Sequence, residues 1–273
     1  MPVGEGRWLC YDFSMTSSGT RYEAVLLDAV GTLIRPWPSV GSVYSRAASS
    51  AGLVCGAAAL ERHFQKAYHE LMPERFAGGE QYRTSEARER AWWKRAAART
   101  FERAGYGIPP RRVVDSAFGA FAHAGSWRKY ADAARVLGKL QGMGLALGVV
   151  SNFDARLHTV LDGLSLTEFF SSVVISSECG FAKPSPRIYR TALGELGVAP
   201  EKTLFVGDRF AQDYRGPRSA GLEALWLVRR GGQSGSDVIR SLDRLPGRAS
   251  LPAGGRSRST TPRRGDRAAP RRS

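Results

Sequence analysis

Asp28 closes the apolar run YEAVLLD (22–28), Ser151 closes LALGVVS (145–151), and Asp208 closes TLFVGD (203–208). Lys183 stands in GFAKPSP, just ahead of a helical pattern, and Asp213 follows in VGDRFAQD. A carboxylate can attack an electrophilic phosphorus or carbon and form an acyl phosphate or an ester. A second carboxylate nearby would repel the first unless a divalent cation is shared. Magnesium takes carboxylates, waters and phosphate oxygens, so Asp28 and Asp208 match its ligand type. Ser151 can donate a hydrogen bond to a phosphoryl oxygen, and Lys183 can neutralise charge as a transition state forms. Gly31 permits a tight turn after Asp28, with free amides that could help hold an anion.

Each residue alone has a plainer reading. A lone aspartate or serine at a strand end usually caps a turn, and a lysine before proline is usually a solvated loop residue. Asp213 could merely cap, or pair with Arg215. Their joint occurrence, each at the edge of an element, carries the chemical reading. In an open parallel sheet, ligands bind at the carboxyl ends of the strands.

The elements that must position them can be read from periodicity. Strands are expected at 22–28, 145–151, 171–176, 203–208 and 222–228, alternating with helices at 131–142, around Leu157–Leu164 and around Ile188–Leu196. That alternation predicts an α/β fold, a Rossmann-like parallel sheet with helices on both faces. Between about 40 and 123 the pattern is helical throughout, with Leu60, Phe64, Tyr68, Leu71 and Met72 on one helix face. A second helix is expected within 85–104, and a last one near 111–123. RPWP at 35–38 reads as a structure breaker. The layout is an α/β core (21–38 and 124–230) with an inserted α-helical cap (39–123), a flexible leader (1–20) and a disordered basic tail (231–273).

The formal charge of +15 suggests nucleic acid, but its distribution does not. Residues 229–273 hold twelve arginines and three aspartates, so +9 of the excess lies there. Gly, Ser, Pro and Arg dominate this stretch, and large apolar residues are few, so it reads as disordered. Such a tail could touch RNA or an anionic surface; a solvated extension is the plainer reading, and nucleic acid is not the expected partner. No apolar stretch is long enough to span a membrane. Cys10, Cys55 and Cys179 are far apart and show no metal spacing, as suits free thiols in a reduced compartment. The expected location is cytoplasmic, with an organelle reached through the hydroxyl-rich segment SMTSSGT (14–20) as the alternative.

With these residues in place, the sequence resembles the haloacid dehalogenase-like hydrolases. LLDAVGTL, VVSN, KPSPRIY and VGDRFAQD match the family's four motifs in order, across roughly residues 22–228. SNFDARL and GDRFAQDYRGPRSAGL also resemble the subgroup named after a rhythmically expressed fly protein. The resemblance implies Asp28 as nucleophile and magnesium ligand, the Val30 carbonyl as a second ligand, and Asp208 as a third. It implies Ser151 as a phosphate ligand, with Asn152, Gly31 and Thr32 shaping that site. Lys183 would stabilise the nucleophile and the phosphoryl charge, and Asp213 would hold either magnesium, through water, or Lys183.

Val30 departs from the pattern. Phosphatases of the family usually carry a second aspartate there, which protonates the leaving alcohol and later activates water. Valine can do neither, and such help is typically worth about 10²–10⁴-fold in rate. A slow phosphatase, one that prefers acyl or mixed-anhydride phosphates, or a proton from the cap are the options. Haloacid dehalogenases also lack that aspartate, but they have tyrosine at this position and lack the metal-binding Gly-Asp retained here as Gly207–Asp208. Phosphonoacetaldehyde-type hydrolases use a cap lysine; the cap lysines here, Lys66 and Lys94, read more plainly as solvated. His63, His69, Tyr68, Trp92, Trp93 and Arg35 are the cleft candidates, with core packing the plainer reading of both tryptophans and a surface or packing role that of each histidine.

The function expected is magnesium-dependent hydrolysis of a small phosphorylated molecule through an aspartyl-phosphate. The alternatives are a carbon–halogen hydrolase, or a catalytically quiet binding or scaffold protein that kept the fold.

Overall fold

The computed structural model describes residues 20–76 and 80–250. Strand β1 (Ala24–Leu27) is buried at every position, as expected of a strand covered on both faces. It lies mid-sheet, with β4 (Ala146–Ser151) on one side and β6 (Thr203–Gly207) on the other. The six-stranded sheet is completed by β5 (Ser172–Ile175), β7 (Glu223–Leu227) and β8 (Val238–Ile239), in the order β5-β4-β1-β6-β7-β8, all parallel. The chain leaves β1 for one half of the sheet and later returns to the other, which opens a crevice at the carboxyl ends beside β1.

Alternation along the strands feeds two cores. Leu26, Val150 and Phe205 face helix α8 (Pro186–Leu196), packing on Ile188, Tyr189 and Ala192. Val25, Leu27 and Val149 face the opposite side, which holds α5 (Ala133–Gly142) and α6 (Arg156–Gly163). Ser185 caps α8, accepting from the Arg187 amide, and Pro186 fills its first turn, so KPSP ends the Lys183 loop sharply. Two short helices, α7 (Ser176–Cys179) and α9 (Gly216–Ser219), complete the connections.

Among the described residues, four α-helices lie between the first strand and the rest of the sheet: α1 (Val40–Ser50), α2 (Ala57–Arg75), α3 (Glu86–Phe101) and α4 (Arg111–Ala120). The two chain crossings into this block are zipped together. Strand β2 (Ile34–Pro36) pairs antiparallel with β3 (Trp127–Lys129), and the Trp37 amide donates to the Ser126 carbonyl at 2.8 Å. Residues 35–38, read from sequence as a breaker, therefore overlap a strand. Three residues are too few to show alternation, and Pro36 sits at the strand's last position, where its missing N–H is tolerated.

The basic tail also departs from its compositional reading. Within residues 231–250, β8 extends the sheet and α10 (Leu245–Ala249) follows it, burying Ile239, Leu242, Leu245 and Ala249. Arg229 donates to both oxygens of buried Asp132 at 2.9 Å each, and Ser241 and the Leu242 amide donate to the same carboxylate. Burial pushes the Asp132 carboxyl up, but these donors outweigh it and hold the group below the ordinary carboxylate range. Averaged over 45 residues, four apolar side chains vanish among arginines, glycines and serines. Residues 1–19 of the expected leader, 251–273 of the expected tail, and Cys10 lie outside the described residues. No helix among the described residues is long and apolar enough to cross a membrane.

Candidate active site

Asp28 directly follows β1, and its amide donates to the Val206 carbonyl at 2.9 Å, so the sheet ladder fixes its position. The chain then turns at Gly31, whose φ is +98° and whose amide donates to the Ile34 carbonyl. A Cβ on Gly31 would lie 2.4 Å from the Asp208 carboxylate. Glycine is thus needed twice, for the backbone and for the approach of Asp208. Gly207 serves likewise at the end of β6, where a Cβ would meet the Asp213 carboxyl at 2.4 Å.

Lys183 is 1% exposed and crosses from its loop to two carboxylates. Its Nζ donates to Asp28 Oδ1 at 2.7 Å and to Asp213 Oδ1 at 2.6 Å. Burial opposes its charge, but Asp213 and Asp28 together hold the ammonium above the ordinary lysine range. The loop is fixed by Asn152, just after β4. Its Nδ2 donates to the Lys183 carbonyl at 2.9 Å, and its Oδ1 accepts from the Lys183 amide at 2.7 Å. Asp213 is fully buried and uses both oxygens, accepting from Lys183 and, at 2.8 Å, from the Arg209 amide.

Asp28, Asp208 and Asp213 bring one oxygen each within 4.8 Å of one another. Lys183 and the more distant Arg209, 3.9 Å from Asp208 Oδ2, do not neutralise three carboxylates. Burial, then the charges of Asp28 and Asp213, push the Asp208 carboxyl up to about 7; burial pushes Asp213 up to about 6, although Lys183 pulls the other way. Asp28 Oδ2 and Asp208 Oδ1 are buried and have no hydrogen-bond partner. Two unpartnered carboxylate oxygens and surplus negative charge fit a hard divalent cation such as magnesium.

Above Asp28 opens a cavity of about 220 Å³. Asp28, Val30, Ser151 and Asn152 line its sheet end, while Tyr44, Phe64, Tyr68, Trp93 and Phe118 line it from the helices. Of the residues singled out from sequence, Lys183, Asp208, Asp213, Gly31 and Thr32 do not reach the cavity wall. Lys183 lies behind Asp28. The Asn152 side chain is engaged with the Lys183 backbone, so its place in the site is that of a holder. Thr32 is fully buried with an unpartnered hydroxyl, and its carbonyl accepts from Arg229 at 2.8 Å.

Among the cleft candidates, Tyr68 and Trp93 do line the cavity. Trp93 therefore departs from its core reading, whereas Trp92 is buried and donates to the Leu71 carbonyl at 3.1 Å. His63, His69 and Arg35 are absent from the wall, and Arg35 stacks on Trp37. Lys66 and Lys94 are absent as well, and Lys94 pairs with Asp115 at 2.5 Å. Three arginines on the wall escaped the sequence reading: Arg75, Arg156 and Arg209. Buried Arg75 pairs with Glu89 at 2.7 Å and reaches the Asn152 carbonyl at 3.4 Å. Arg156 pairs with Asp154 through two 2.7 Å bonds and lies 3.6 Å from the Phe118 ring centroid. Arg209 was in view within VGDRFAQD and Arg156 within SNFDARL; Arg75 had no signal beyond its charge.

A zebrafish (Danio rerio) protein, haloacid dehalogenase-like hydrolase domain-containing protein 3, is 34% identical over 235 residues, which cover 82% of this chain and 95% of that protein. A phosphoserine phosphatase from Thermus thermophilus is 39% identical over 124 residues, 45% of this chain and 50% of that one. The solved structure of the HAD-hydrolase YfnB from Bacillus subtilis, bound to magnesium, superposes with a TM-score of 0.68 at 17% identity, covering 85% of this chain and all of that one. The model of the haloacid dehalogenase-like hydrolases matches residues 22–221, and the chain belongs to that family.

Proposed function

We propose that the protein is a magnesium-dependent phosphatase of a small phosphorylated molecule, with Asp28 as nucleophile. The observation that carries this reading is the setting of Asp28, which lines the cavity with one oxygen held by Lys183 and the other without a partner. The phosphatase-named relative supports the same class. Lys183 holds one oxygen of Asp28 at 2.7 Å and so aims the carboxylate, whose other oxygen attacks phosphorus. Ser151, at the end of β4, donates to a phosphoryl oxygen. Arg209, beside the mouth, draws the phosphate dianion inward. Magnesium, held by Asp28, the Val30 carbonyl and Asp208, would neutralise the charge of the phosphoryl oxygens. Asp213 holds Lys183 and, through its other oxygen, the Arg209 amide. Helices α1–α4 act as a cap, excluding water and choosing the substrate. The free thiols of Cys55 and Cys179 suit a reducing compartment, and the cytoplasm is the proposed location.

The test is phosphate release from acetyl phosphate and p-nitrophenyl phosphate, with magnesium and with chelator, wild type beside Asp28→Asn. Magnesium-dependent release that disappears in Asp28→Asn, with an unchanged thermal melt, is expected. Halide release from 2-chloropropionate that is indifferent to chelator would replace this reading with carbon–halogen hydrolysis. Absence of both activities would leave a binding protein.

A further inference from the structure

Among the described residues, the cavity wall offers no carboxyl group besides the nucleophile, and no imidazole or ammonium, to protonate a leaving oxygen. Asp28 is the one carboxylate that the described residues bring to this wall, with no histidine and no lysine among them, and Val30 stands beside the nucleophile. Gln65 and Gln212 do not titrate. The remaining hydroxyls are those of Ser151, Tyr44 and Tyr68. Tyr44 is buried against Phe64, Phe101 and Phe121, and burial pushes its phenol further up. The wall is also aromatic: eight of its nineteen residues carry rings, and each of its three arginines faces a carboxylate, Arg75 with Glu89, Arg156 with Asp154 and, more loosely at 3.9 Å, Arg209 with Asp208. A sugar or other polyol would set most of its hydroxyls against rings, and Gln65, Gln212 and Ser151 could pair only some of them. A dry apolar cavity of about 150 Å³ holds benzene, so this space, of the same order at about 220 Å³, has room for one ring.

We propose, resting on the phosphatase reading above, that the substrate is a phosphate borne on the oxygen of an sp² carbon in an apolar, ring-bearing group: an aryl or aroyl phosphate. Asp28 forms a bond to phosphorus while the bond from phosphorus to the leaving oxygen breaks. The electron pair departs with that oxygen as a phenolate or carboxylate, stabilised by its own π system, and bulk water protonates it afterwards where needed. Water then attacks the aspartyl phosphate at phosphorus. The electron pair of the breaking bond returns to Asp28, and both water protons leave on dihydrogen phosphate. The missing acid and the aromatic wall thus select the same chemical class.

The experiment compares kcat/KM for phenyl, benzoyl, benzyl and glycerol 3-phosphates in magnesium, with spontaneous hydrolysis subtracted. This quantity reports phosphoryl transfer to Asp28 even where the second step limits turnover. Phenyl and benzoyl phosphates are expected to exceed benzyl phosphate by about 10²–10⁴-fold, the usual worth of the absent acid. Benzyl phosphate is expected to exceed glycerol 3-phosphate by about tenfold or more from ring burial. Which of phenyl and benzoyl leads separates aryl from aroyl. Val30→Asp should raise benzyl phosphate selectively and narrow the first ratio. Equal rates for phenyl and benzyl phosphates, or preference for glycerol 3-phosphate, would overturn the inference while leaving the phosphatase reading intact. A loss confined to benzyl phosphate in Tyr68→Phe, which keeps the ring, would identify an acid and also overturn it. No Asp28-dependent release from any of the four would remove both readings together.

Discussion

Replacing Asn152 by alanine isolates a contact whose purpose is visible only in the folded chain. Both of its side-chain hydrogen bonds go to the backbone of Lys183, at 2.7 and 2.9 Å. Alanine would strand the Lys183 amide and carbonyl. A buried polar group without a partner costs about 1–3 kcal/mol. Asn152 is half-buried, so water can fill part of the gap, and the lower end applies. Two groups then cost about 2 kcal/mol, with some loss of additivity because they share one loop. For a domain of this size that lowers Tm by roughly 4–8 °C. The urea midpoint should fall while the slope of the transition is kept. The effect on turnover arises through Lys183: a displacement of about 1 Å in a catalytic group can cost about 10²-fold in rate. On the proposed phosphatase reading the fall should appear in kcat with KM nearly unchanged, because both side-chain hydrogen bonds of Asn152 go to Lys183. In a Lys183→Met background, adding Asn152→Ala should change kcat little further. Additive losses in kcat, or a rise in KM alone, would refute this assignment and make Asn152 a direct phosphate ligand.

Two further predictions concern the segment after β7. Arg229→Ala should destabilise by about 2–3 kcal/mol, discounted from a fully buried pair because Arg229 keeps 19% side-chain exposure. The Asp132 pKa is depressed on folding, so its contribution is present above its unfolded value near 4 and is lost as pH falls through the folded value. The acid limb of stability against pH should therefore be shallower in Arg229→Ala than in wild type, and parallel limbs would refute the pairing. Truncation after Gln233 should cost about 5 kcal/mol or more, since it removes Ile239, Leu242 and Leu245 from the core. A soluble truncated protein with wild-type Tm would contradict the packing of β8 and α10.

Much of the site was legible in the chain because its residues sit at ends of apolar runs, and a run that ends on a polar residue is a local pattern. Asp28 after AVLL, Ser151 after LGVV and Asp208 after FVG are such cases, and a parallel sheet brings strand ends together. The cavity wall was not legible in this way. Tyr44, Phe118, Trp127 and Phe153 come from α1, α4, β3 and the loop after β4, and nothing local distinguishes a ring in a wall from a ring in a core. Arg75 and Arg156 are not distinguished from other arginines by sequence, because their partners, Glu89 and Asp154, become buried with them only on folding.

The sequence by itself determined the alternating α/β core, the helical stretch after the first strand and the polar residues that end the apolar runs, because periodicity and residue chemistry are properties of short stretches. Tertiary structure decided the rest. It placed Lys183 between Asp28 and Asp213, turned Asn152 toward the Lys183 backbone, drew Ile239, Leu242, Leu245 and Ala249 into the core and gathered aromatic rings above Asp28. Each of these depends on contacts between residues far apart in the chain, and the free energy of such a contact exists only once the sheet and helices have closed around it.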